Sequence, residues 1–502
     1  MSATPSGRTS ESEVPVPRAD SGLPRGVGLA LAAMLAGALV LLVFHLRETP
    51  PVEHREIRIF EVVSSMLQSG DYLVPRINGN LHVNKPPLYY WLACGAQALL
   101  PLSDRVTVRL PSALAALGLI AFVFWFVRRS GYGAAALPTA LMLAAFSALY
   151  ENGRIADFDT LLTLFSFAAV AAFRIHVREG RIGWLLTAGA LFALALMTKA
   201  TPALPLVLLP AVLMLAFEGK GRYLLRPSVL LLFILIPVCV GSAWFVWLAV
   251  HSAEARQVFI NEGLLPFGVK SEHVTALHYK PFYYYTFNLF KVTSPAVVLL
   301  PIVIWRLCTT RAYRRERSDL RWVFYSILGI LVIFSAIPQK QTEYMVPMLP
   351  YLAILFGDAV ASAIETMRWQ RWIKGVCALG SAVLLLGVPL TYVYFARIIG
   401  NRGVAIPAAL GILAFAVLLA ALTFRAAPYT ILGGAWVAWL FVALIYYGSF
   451  NVWDMQFKTG EVYQNPHYSE SHWKTVLRKY PVLRRVFQTS ERFKKDDSGS
   501  AN

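Results

Sequence analysis

The sequence has few charged residues for its length: Asp, Glu, Lys and Arg make up 15% of its 502 residues. An average soluble chain is about 25% charged, and a soluble domain with so few charges could not cover its own surface. Hydrophobic residues, by contrast, reach 57%. We therefore predict that lipid is the solvent for most of the chain, which excludes a wholly soluble protein.

Acidic residues and cysteines are also scarce. The chain has 28 Asp and Glu against 46 Lys and Arg, a formal net charge of +18, and four cysteines. Basic chains often bind nucleic acids, but many basic residues here, such as Arg128 and Arg129, lie in short connections between apolar runs, as in cytoplasmic loops. We predict no nucleic-acid partner. The cysteines show no CxxC spacing and are interpreted as small buried hydrophobic residues.

Long apolar runs divide the chain into predicted membrane spans. Each is near the length that a bilayer requires, and together they predict an all-α polytopic membrane protein with about thirteen transmembrane helices. The spans lie near residues 27–46, 110–127, 133–150, 160–177, 183–198, 202–217, 228–250, 293–307, 323–337, 347–365, 375–396, 404–424 and 429–448. The predicted organisation is a disordered cytoplasmic N-terminus (1–25), a core (26–365) with an outer loop (47–109), further transmembrane helices (366–449) and a basic extracytoplasmic tail (450–502).

Two short segments of the outer loop are predicted to be helices that lie on the membrane surface. Residues 56–67 place apolar side chains on one face, with Glu56 and Arg58 off that face. Residues 88–100 follow a Pro-Pro pair, which suits a first helical turn, and are too short to span the bilayer comfortably.

Ionisable and aromatic side chains gather in the loops that this topology places outside. Exposing ionisable groups to lipid is costly, so each of them needs a partner or a function. The structural alternative for a single residue is an interfacial side chain that reaches water. Several loops carrying such residues to one face favour a shared site. The candidates are Glu53, Glu56, Arg58, Lys85, Arg154, Asp157, Asp159, Lys199, His278, Lys280, Lys340, Glu343 and Tyr344.

The carboxylates of this set suit a general base, because a hydroxyl acceptor loses its proton as the new bond forms. The predicted catalytic residues are Glu56, Asp159, Glu53 and Asp157. The two aspartates also have a DxD spacing that can hold a divalent cation, although such spacing is common by chance. No other cofactor is predicted. The structural alternative is that Asp159 caps the helix predicted to begin at Thr160, a role not expected of Asp157.

The cations suit a departing phosphate, whose charge Arg and Lys stabilise through charge-assisted hydrogen bonds. The predicted phosphate-binding residues are Arg58, Lys85, Lys340 and Tyr344. Two further residues, His278 and Lys199, are predicted to bind substrate. For His278 the alternative is an ordinary interfacial histidine, and Arg58 has the alternative of pairing with a glutamate of its own helix.

Several motifs resemble, in order and spacing, those of the ArnT/protein O-mannosyltransferase superfamily. The resemblance covers residues 27–365, and its most specific part is the block Lys85-Pro86-Pro87-Leu88-Tyr89-Tyr90-Trp91. The other matching residues are Glu56 to Arg58, Met66, Gly70 to Tyr72, Pro75, Asn78, Gly79, Arg109 to Ser112, Asp159, Leu161, Leu162, Lys199, His278, Lys280 to Tyr284, Lys340 to Tyr344, Pro347 and Pro350.

Membership would imply a GT-C fold, in which many transmembrane helices lie under extracytoplasmic interfacial helices. It would also imply glycosyl transfer, of a hexose or a pentose, from a polyprenyl-phosphate donor to an acceptor lipid, glycan or protein. The protein would lie in the bacterial inner or plasma membrane, with its site facing the periplasm or the exterior.

One position departs from the superfamily's pattern: Arg55 stands where its members have an aspartate. This departure suggests one alternative to an active transferase, a non-catalytic homologue.

A transporter or flippase of lipid-linked sugars is a separate alternative. Transporters typically place ionisable residues at the bilayer midplane on broken helices, often with internal repeats. The sequence shows neither clear repeats nor charges at the centres of spans, which disfavours this alternative.

Overall fold

The computed structural model describes residues 25–44, 46–47, 54–83, 85–263, 280–309, 318–338, 340–366, 369–393, 402–425, 433–440 and 442–443. The predicted disorder of residues 1–24 and the basic tail lie outside these ranges. So do two predicted site residues, Glu53 and His278.

The chain is built almost entirely of helices, and eight segments of the described part are long and apolar enough to cross a membrane. Five of them are single helices: α1 (Arg25–Val43), α5 (Leu110–Arg129), α8 (Phe158–Glu179), α10 (Ala200–Phe217) and α18 (Gln370–Val393). The sixth lies within α19 (Arg402–Arg425). The seventh, Pro227–His251, joins α11 (Pro227–Val229), a π-helical stretch (Leu230–Leu235) and α12 (Ile236–His251). The eighth, Thr342–Glu365, joins a 3-10 helix (Thr342–Met348) to α17 (Leu349–Glu365).

Bent and shorter helices account for most of the other predicted spans. The pair α6 (Gly133–Ala145) and α7 (Ser147–Gly153) bends by 59°, and α14 (Tyr284–Val292) meets the helical segment Ala296–Cys308 at 101°. The shorter apolar helices are α9 (Ile182–Thr198) and residues Leu320–Ala336 of α16 (Ser318–Ala336). The polytopic all-helical prediction is confirmed. The predicted span at 429–448 is described only in part.

The break between α9 and α10 falls at Lys199, whose backbone is extended (φ −158°, ψ 91°). Pro202 lies in the first turn of α10, where a proline is tolerated because its missing N–H would have no helical partner. The apolar stretch around this position is therefore two helices, and the lysine between them is turned away from both.

The segment before α5 forms a small cap at one end of the bundle. It contains α2 (His54–Ser69), a hairpin of β1 (Arg76–Ile77) and β2 (Asn80–Leu81), α3 (Leu88–Leu99) and α4 (Asp104–Thr107). Asn78 and Gly79 have positive φ values of 52° and 82°, as a tight two-residue hairpin turn requires. Both predicted surface helices are present as α2 and α3. The predicted face of α2 is wrong in one respect, because Glu56 is buried.

The helices α5 and α8 define the two ends of the bundle. At their N-terminal ends the Ser112 hydroxyl donates to the Asp157 carbonyl, at 2.9 Å. At their C-terminal ends Arg129 and Glu179 form an ion pair of 2.6 Å. At 1.5 Å per residue these ends are about 30 Å apart. We call the end that carries Ser112 the site end.

Cysteine burial follows the prediction at two of four positions. Cys94 and Cys377 are buried, but Cys239 and Cys308 are exposed, so the prediction is wrong for them. Both lie in apolar helices, where an exposed side chain faces lipid and a small, weakly polar group costs little.

Candidate active site

The loop between α7 and α8 is held in place by hydrogen bonds to the end of α1 and to Glu56 of α2. Arg154 donates to the backbone carbonyls of Leu41 and Phe44 at the end of α1. The Ala156 N–H donates to Glu56 Oε1, at 2.9 Å. These bonds satisfy buried backbone groups that helix ends would otherwise leave without partners. The loop is therefore rigidly placed where α8 begins.

Asp157 is the N-cap residue of α8. Its backbone is extended, and its Oδ1 accepts a hydrogen bond from the Phe158 N–H, at 2.8 Å. The Asp157 N–H donates to Ser112 Oγ. The expectation that Asp157 does not cap this helix is thus wrong, and so is the alternative in which Asp159 caps it. The reason is that α8 starts at Phe158, two residues before the predicted Thr160.

Asp159 instead points to the lysine that separates α9 from α10. Lys199 Nζ lies 2.9 Å and 3.0 Å from the two carboxylate oxygens of Asp159, and both side chains are buried or nearly so. The same Nζ lies 4.7 Å from the ring centroid of Tyr344, within the range of a cation–π interaction. Three predicted residues from distant parts of the chain are thereby brought together.

Arg55 lies between two carboxylates, those of Asp157 and Glu343. Its Nη1 is 2.7 Å from Asp157 Oδ2 and 2.9 Å from Glu343 Oε1. The Arg55 side chain is 29% exposed, whereas Asp157 and Glu343 are 5% and 14% exposed. We call Arg55, Asp157, Asp159, Lys199, Glu343 and Tyr344 the carboxylate cluster.

The pKa of Asp157 is raised from its ordinary value to about 7. Burial is the main cause, because it disfavours the charged form. The Arg55 charge opposes this effect, the negative charges of Asp159 and Glu343 add to it, and Lys199 opposes it. A carboxyl group that exchanges its proton near neutral pH is matched to general-base chemistry.

Glu56 adjoins this cluster but is bound to a different partner. Arg109, at the start of α5, donates from Nε and Nη2 to the two oxygens of Glu56, at 2.7 Å and 3.0 Å. Arg109 also donates to the Leu46 carbonyl, at 2.9 Å. The two side chains are 0% and 1% exposed. Because Glu56 accepts three hydrogen bonds and is only 1% exposed, the geometry favours a positioning role for it, and its predicted role of base stays a prediction.

A second polar group surrounds His82, just after the hairpin. Burial and the charges of Arg58 and Lys85 lower the pKa of His82 to about 4, so its imidazole is neutral at physiological pH. Burial raises the pKa of Glu61 to about 7, although Arg58 opposes that shift. The predicted phosphate-binding residues Arg58 and Lys85 thus lie around one site.

An aromatic pair connects this second group to the carboxylate cluster. Arg58 lies within electrostatic range of Tyr90. The Tyr90 ring meets the Phe158 ring edge-on, with centroids 5.6 Å apart. Phe158 lies between Asp157 and Asp159 in sequence. The Tyr90–Phe158 contact therefore lies between the group around His82 and the carboxylate cluster.

Lys340 also lies at the site end, where its side chain donates hydrogen bonds to backbone carbonyls. Its Nζ donates to the Ile337 and Lys280 carbonyls, at 2.6 Å and 3.2 Å. These bonds join the segment around residue 280 to the start of the Thr342–Met348 3-10 helix. Its predicted contact with phosphate remains a prediction.

The aspartates of the DxD spacing are each paired with a cation, Asp157 with Arg55 and Asp159 with Lys199. Across the described ranges, no group of three or more His, Cys, Asp or Glu side chains has the arrangement of a metal site.

Sequence reasoning gave no role in the site to Arg109, Glu343 or Arg55. Arg109 was visible only as part of a motif before a predicted span, and its partner is 53 positions away. Glu343 follows Lys340 in the same polar loop and was placed among the outer candidates without a role. Arg55 was noted only as a departure. The signal common to all three is a charge beside an apolar segment, which requires a partner.

Comparison with known proteins agrees with this architecture. Residues 84–247 match the family model described as dolichyl-phosphate-mannose-protein mannosyltransferase. The undecaprenyl phosphate-alpha-4-amino-4-deoxy-L-arabinose arabinosyl transferase of Pectobacterium carotovorum subsp. carotovorum is 30% identical over 396 residues, which are 72% of this chain and 67% of the relative. The transferase of the same name from Pseudomonas savastanoi pv. phaseolicola is 27% identical over 384 residues, 72% of this chain and 66% of the relative. The chain thus spans about two thirds of the length of these relatives.

Solved structures show the same fold. The crystal structure of ArnT from Cupriavidus metallidurans in the apo state has a TM-score of 0.65 and 21% identity, and the match covers 85% of this chain and 78% of that one. The same protein bound to undecaprenyl phosphate also has a TM-score of 0.65, with 20% identity. The fold therefore defines a polytopic membrane protein of the GT-C class.

The sequence relatives define the family within that class. The chain belongs to the ArnT/protein O-mannosyltransferase superfamily of GT-C membrane glycosyltransferases.

Proposed function

We propose that this protein transfers a sugar from a polyprenyl-phosphate donor to a hydroxyl-bearing acceptor on the outer side of the membrane. The observation that carries the proposal is the carboxylate cluster, in which α2, the start of α8, the α9–α10 junction and the Thr342–Met348 helix bring acids and cations to one end of the bundle. The names of the sequence relatives support the donor class. The sugar and the acceptor stay open.

Asp157 is the residue that best fits the general base. The acceptor hydroxyl would give its proton to Asp157 Oδ2 while its oxygen attacks the anomeric carbon. As the new carbon–oxygen bond forms, the bond from the anomeric carbon to the phosphate oxygen breaks, and its electron pair leaves with the polyprenyl phosphate. A positioned carboxylate contributes about 10²–10⁴-fold to such a step.

The departing phosphate gains negative charge, which Arg58 and Lys85 are placed to stabilise. Burial and these two cations lower the pKa of His82, so its imidazole stays neutral and the positive charge of this group comes from Arg58 and Lys85. Lys199, held by Asp159 and stacked on Tyr344, would bind the polar part of the substrate. The phosphate-binding roles of Arg58, Lys85 and Tyr344 and the substrate-binding role of Lys199 stay predictions.

The location of the polar residues favours an enzyme over a lipid-linked sugar transporter. Transporters place their binding sites near the bilayer midplane, on broken helices. Here the cluster lies where spans begin or end, beside α2 and α3, which supports chemistry at the membrane surface. We propose that this surface faces the periplasm or the exterior, because the short basic connections, such as that after α5, lie at the opposite end.

The test is release of polyprenyl phosphate by the purified full-length protein in liposomes that contain undecaprenyl-phosphate-linked sugars extracted from bacterial membranes. Mass spectrometry would follow the free undecaprenyl phosphate and the glycosylated product. Asp157→Asn should lower turnover by about 10²–10⁴-fold. Glu151→Gln is the matched control, since Glu151 is an exposed carboxylate paired loosely with Lys291, at 3.9 Å.

The alternatives give different results in the same liposomes. Movement of labelled lipid between leaflets without release of undecaprenyl phosphate would identify a flippase. Neither movement nor release, with donor binding retained, would identify a non-catalytic homologue. Equal turnover in Asp157→Asn and the wild type would remove Asp157 from the chemistry.

A further inference from the structure

Arg55 is shared between two acids that lie on different elements. One nitrogen, Nη1, lies within hydrogen-bond distance of Asp157 at the start of α8 and of Glu343 in the Thr342–Met348 helix. The two distances, 2.7 Å and 2.9 Å, differ by only 0.2 Å. A small rotation of the guanidinium would therefore exchange the stronger contact from one carboxylate to the other.

The contact with Asp157 works against the chemistry proposed for that residue. Asp157 Oδ1 already accepts from the Phe158 N–H, and Arg55 lies on Oδ2. An ion pair stabilises the ionised form of a carboxylate and so weakens it as a base. Proton transfer to Asp157 would also deprive the guanidinium of its nearest negative charge. Leaving a largely buried charge without a partner is expensive.

Glu343 removes that cost. Once Asp157 takes a proton, the Glu343 carboxylate still lies 2.9 Å from the Arg55 guanidinium. Burial raises the pKa of Glu343, and the Arg55 charge opposes that shift and so favours the ionised form that serves as its counter-ion. This role does not require Glu343 to touch the substrate. It requires a second carboxylate within reach of the same nitrogen, which is what the structure provides.

We propose that Arg55 is a movable positioning residue, which orients Asp157 before the reaction and shifts to Glu343 as Asp157 accepts the acceptor's proton. The inference rests on the proposed function, because it assumes that Asp157 is the base. It gives a role to the arginine that stands in place of the superfamily's aspartate, and it gives Glu343 a role as the second partner of that arginine.

The charged groups that face Asp157 determine the expected pH dependence. They are Arg55 from α2, Asp159 from α8, Lys199 from the α9–α10 junction and Glu343 from the 3-10 helix. The two cations hold the pKa of Asp157 down, and the two anions raise it. Removing Arg55 should therefore raise this pKa, and neutralising Glu343 should lower it. A fixed Arg55 would give the same two shifts, so movement itself is tested by kcat on the plateau, which should fall in Glu343→Gln.

The experiment measures kcat against pH for the wild type, Arg55→Gln and Glu343→Gln in the liposome assay of undecaprenyl phosphate release. The base must be ionised, so activity falls as the pH drops through its pKa. The acid limb of Arg55→Gln should move up by about one pH unit, and that of Glu343→Gln should move down by a similar amount. In Glu343→Gln, kcat on the plateau should fall about tenfold or more, because Arg55 then stays on Asp157.

A matched control and conservative variants make the result decisive. Arg76→Gln removes an exposed cation that donates to the Gly79 carbonyl in the hairpin, and it should leave the acid limb unchanged. Arg55→Lys and Glu343→Asp keep the charges if the glutamine variants fail to insert. Their acid limbs should lie within about half a pH unit of the wild type, with a lower kcat, because a lysine cannot bridge both acids with the same geometry.

The outcomes separate the inference from the function on which it rests. If the wild type turns over, Asp157→Asn is inactive and the acid limbs of Arg55→Gln and Glu343→Gln do not move in opposite directions, the movable-arginine inference is wrong while the proposed function stands. If the wild type releases no undecaprenyl phosphate, or if Asp157→Asn matches it, the proposed function or its base is what fails.

Discussion

The buried pair of Glu56 and Arg109 provides a direct way to distinguish a structural glutamate from a catalytic one. Glu56 was predicted from sequence as a base, yet in the structure it accepts two hydrogen bonds from Arg109 and one from the Ala156 N–H. We predict that Glu56→Gln mainly lowers the free energy of unfolding and that its effect on turnover per folded molecule is small.

The magnitude follows from the burial of the pair. Arg109 is fully buried, so neutralising Glu56 leaves a guanidinium without its counter-charge in a site from which water is excluded. Breaking a buried ion pair by changing one partner costs about 3–5 kcal/mol. The glutamine oxygen can still accept from the Ala156 N–H, which places Glu56→Gln toward the lower end of this range. Glu56→Ala loses that hydrogen bond too and should be less stable by about 1–3 kcal/mol more.

The assay is a comparison of four proteins in the same detergent: wild type, Glu56→Gln, Arg109→Met and the double variant. Unfolding is followed by tryptophan fluorescence, and turnover is normalised to the folded fraction measured by gel filtration. The double variant removes both charges, so it should be more stable than the sum of the single effects predicts, with a coupling energy of about 1–3 kcal/mol. Turnover per folded molecule should stay within about tenfold of the wild type in Glu56→Gln, well short of the loss that removal of a base causes.

Two results would refute this reasoning. A Glu56→Gln protein as stable as the wild type but with turnover reduced by about 10²-fold or more would make Glu56 the base after all. Single effects that simply add in the double variant would show that the two charges do not stabilise each other across the 2.7 Å contact.

Three further substitutions test the predicted substrate-binding residues. Lys85→Ala should abolish transfer while the protein still inserts into liposomes, and wild-type turnover in this variant would refute its phosphate role. Lys199→Met removes the counter-charge of Asp159. Turnover, measured as undecaprenyl phosphate release, should fall by about 10²-fold or more. A loss below tenfold would contradict a substrate role for Lys199. Lys340→Met should leave the KM for the donor within about threefold of the wild type, because its ammonium group donates to the Ile337 carbonyl; a rise as large as that in Lys85→Ala would restore its predicted role in phosphate binding.

The helical architecture was readable from sequence because a bilayer constrains length and composition so strongly. Runs of about twenty apolar residues identify spans whatever their partners are. The break at Lys199 and the helix after Pro87 were also predictable, since proline favours the first turn of a helix. The gathering of the outer loops at one end was inferred only from the cost of charges beside lipid, and the contact of Arg55 with Asp157 and Glu343 bears it out.

The wrong predictions share a physical cause. A charged residue on an amphipathic helix counts as polar in any periodicity argument, so Glu56 was placed off the buried face of α2. Its partner Arg109 cancels that charge inside the protein, and no local pattern reveals a pair separated by 53 positions. The cap of α8 was misplaced for a related reason. Phe158 reads as either a loop or a helix residue until its contact with Tyr90 is known.

The two polar groups fit the two parts of the proposed reaction, the departure of the phosphate and the attack of the acceptor. Glycosyl transfer from a phosphate requires positive charge where the phosphate leaves and a base where the acceptor enters. Arg58 and Lys85, the cations around His82, lie on one side of the Tyr90–Phe158 ring contact, and Asp157, next to Phe158 in sequence, lies on the other side in this series of contacts. Each of the three acids is paired with a cation: Asp159 with Lys199, Glu56 with Arg109 and Asp157 with Arg55. Only the partner of Asp157 also lies within reach of a second carboxylate, that of Glu343, so in the proposed mechanism the strength of Asp157 as a base depends on where Arg55 lies.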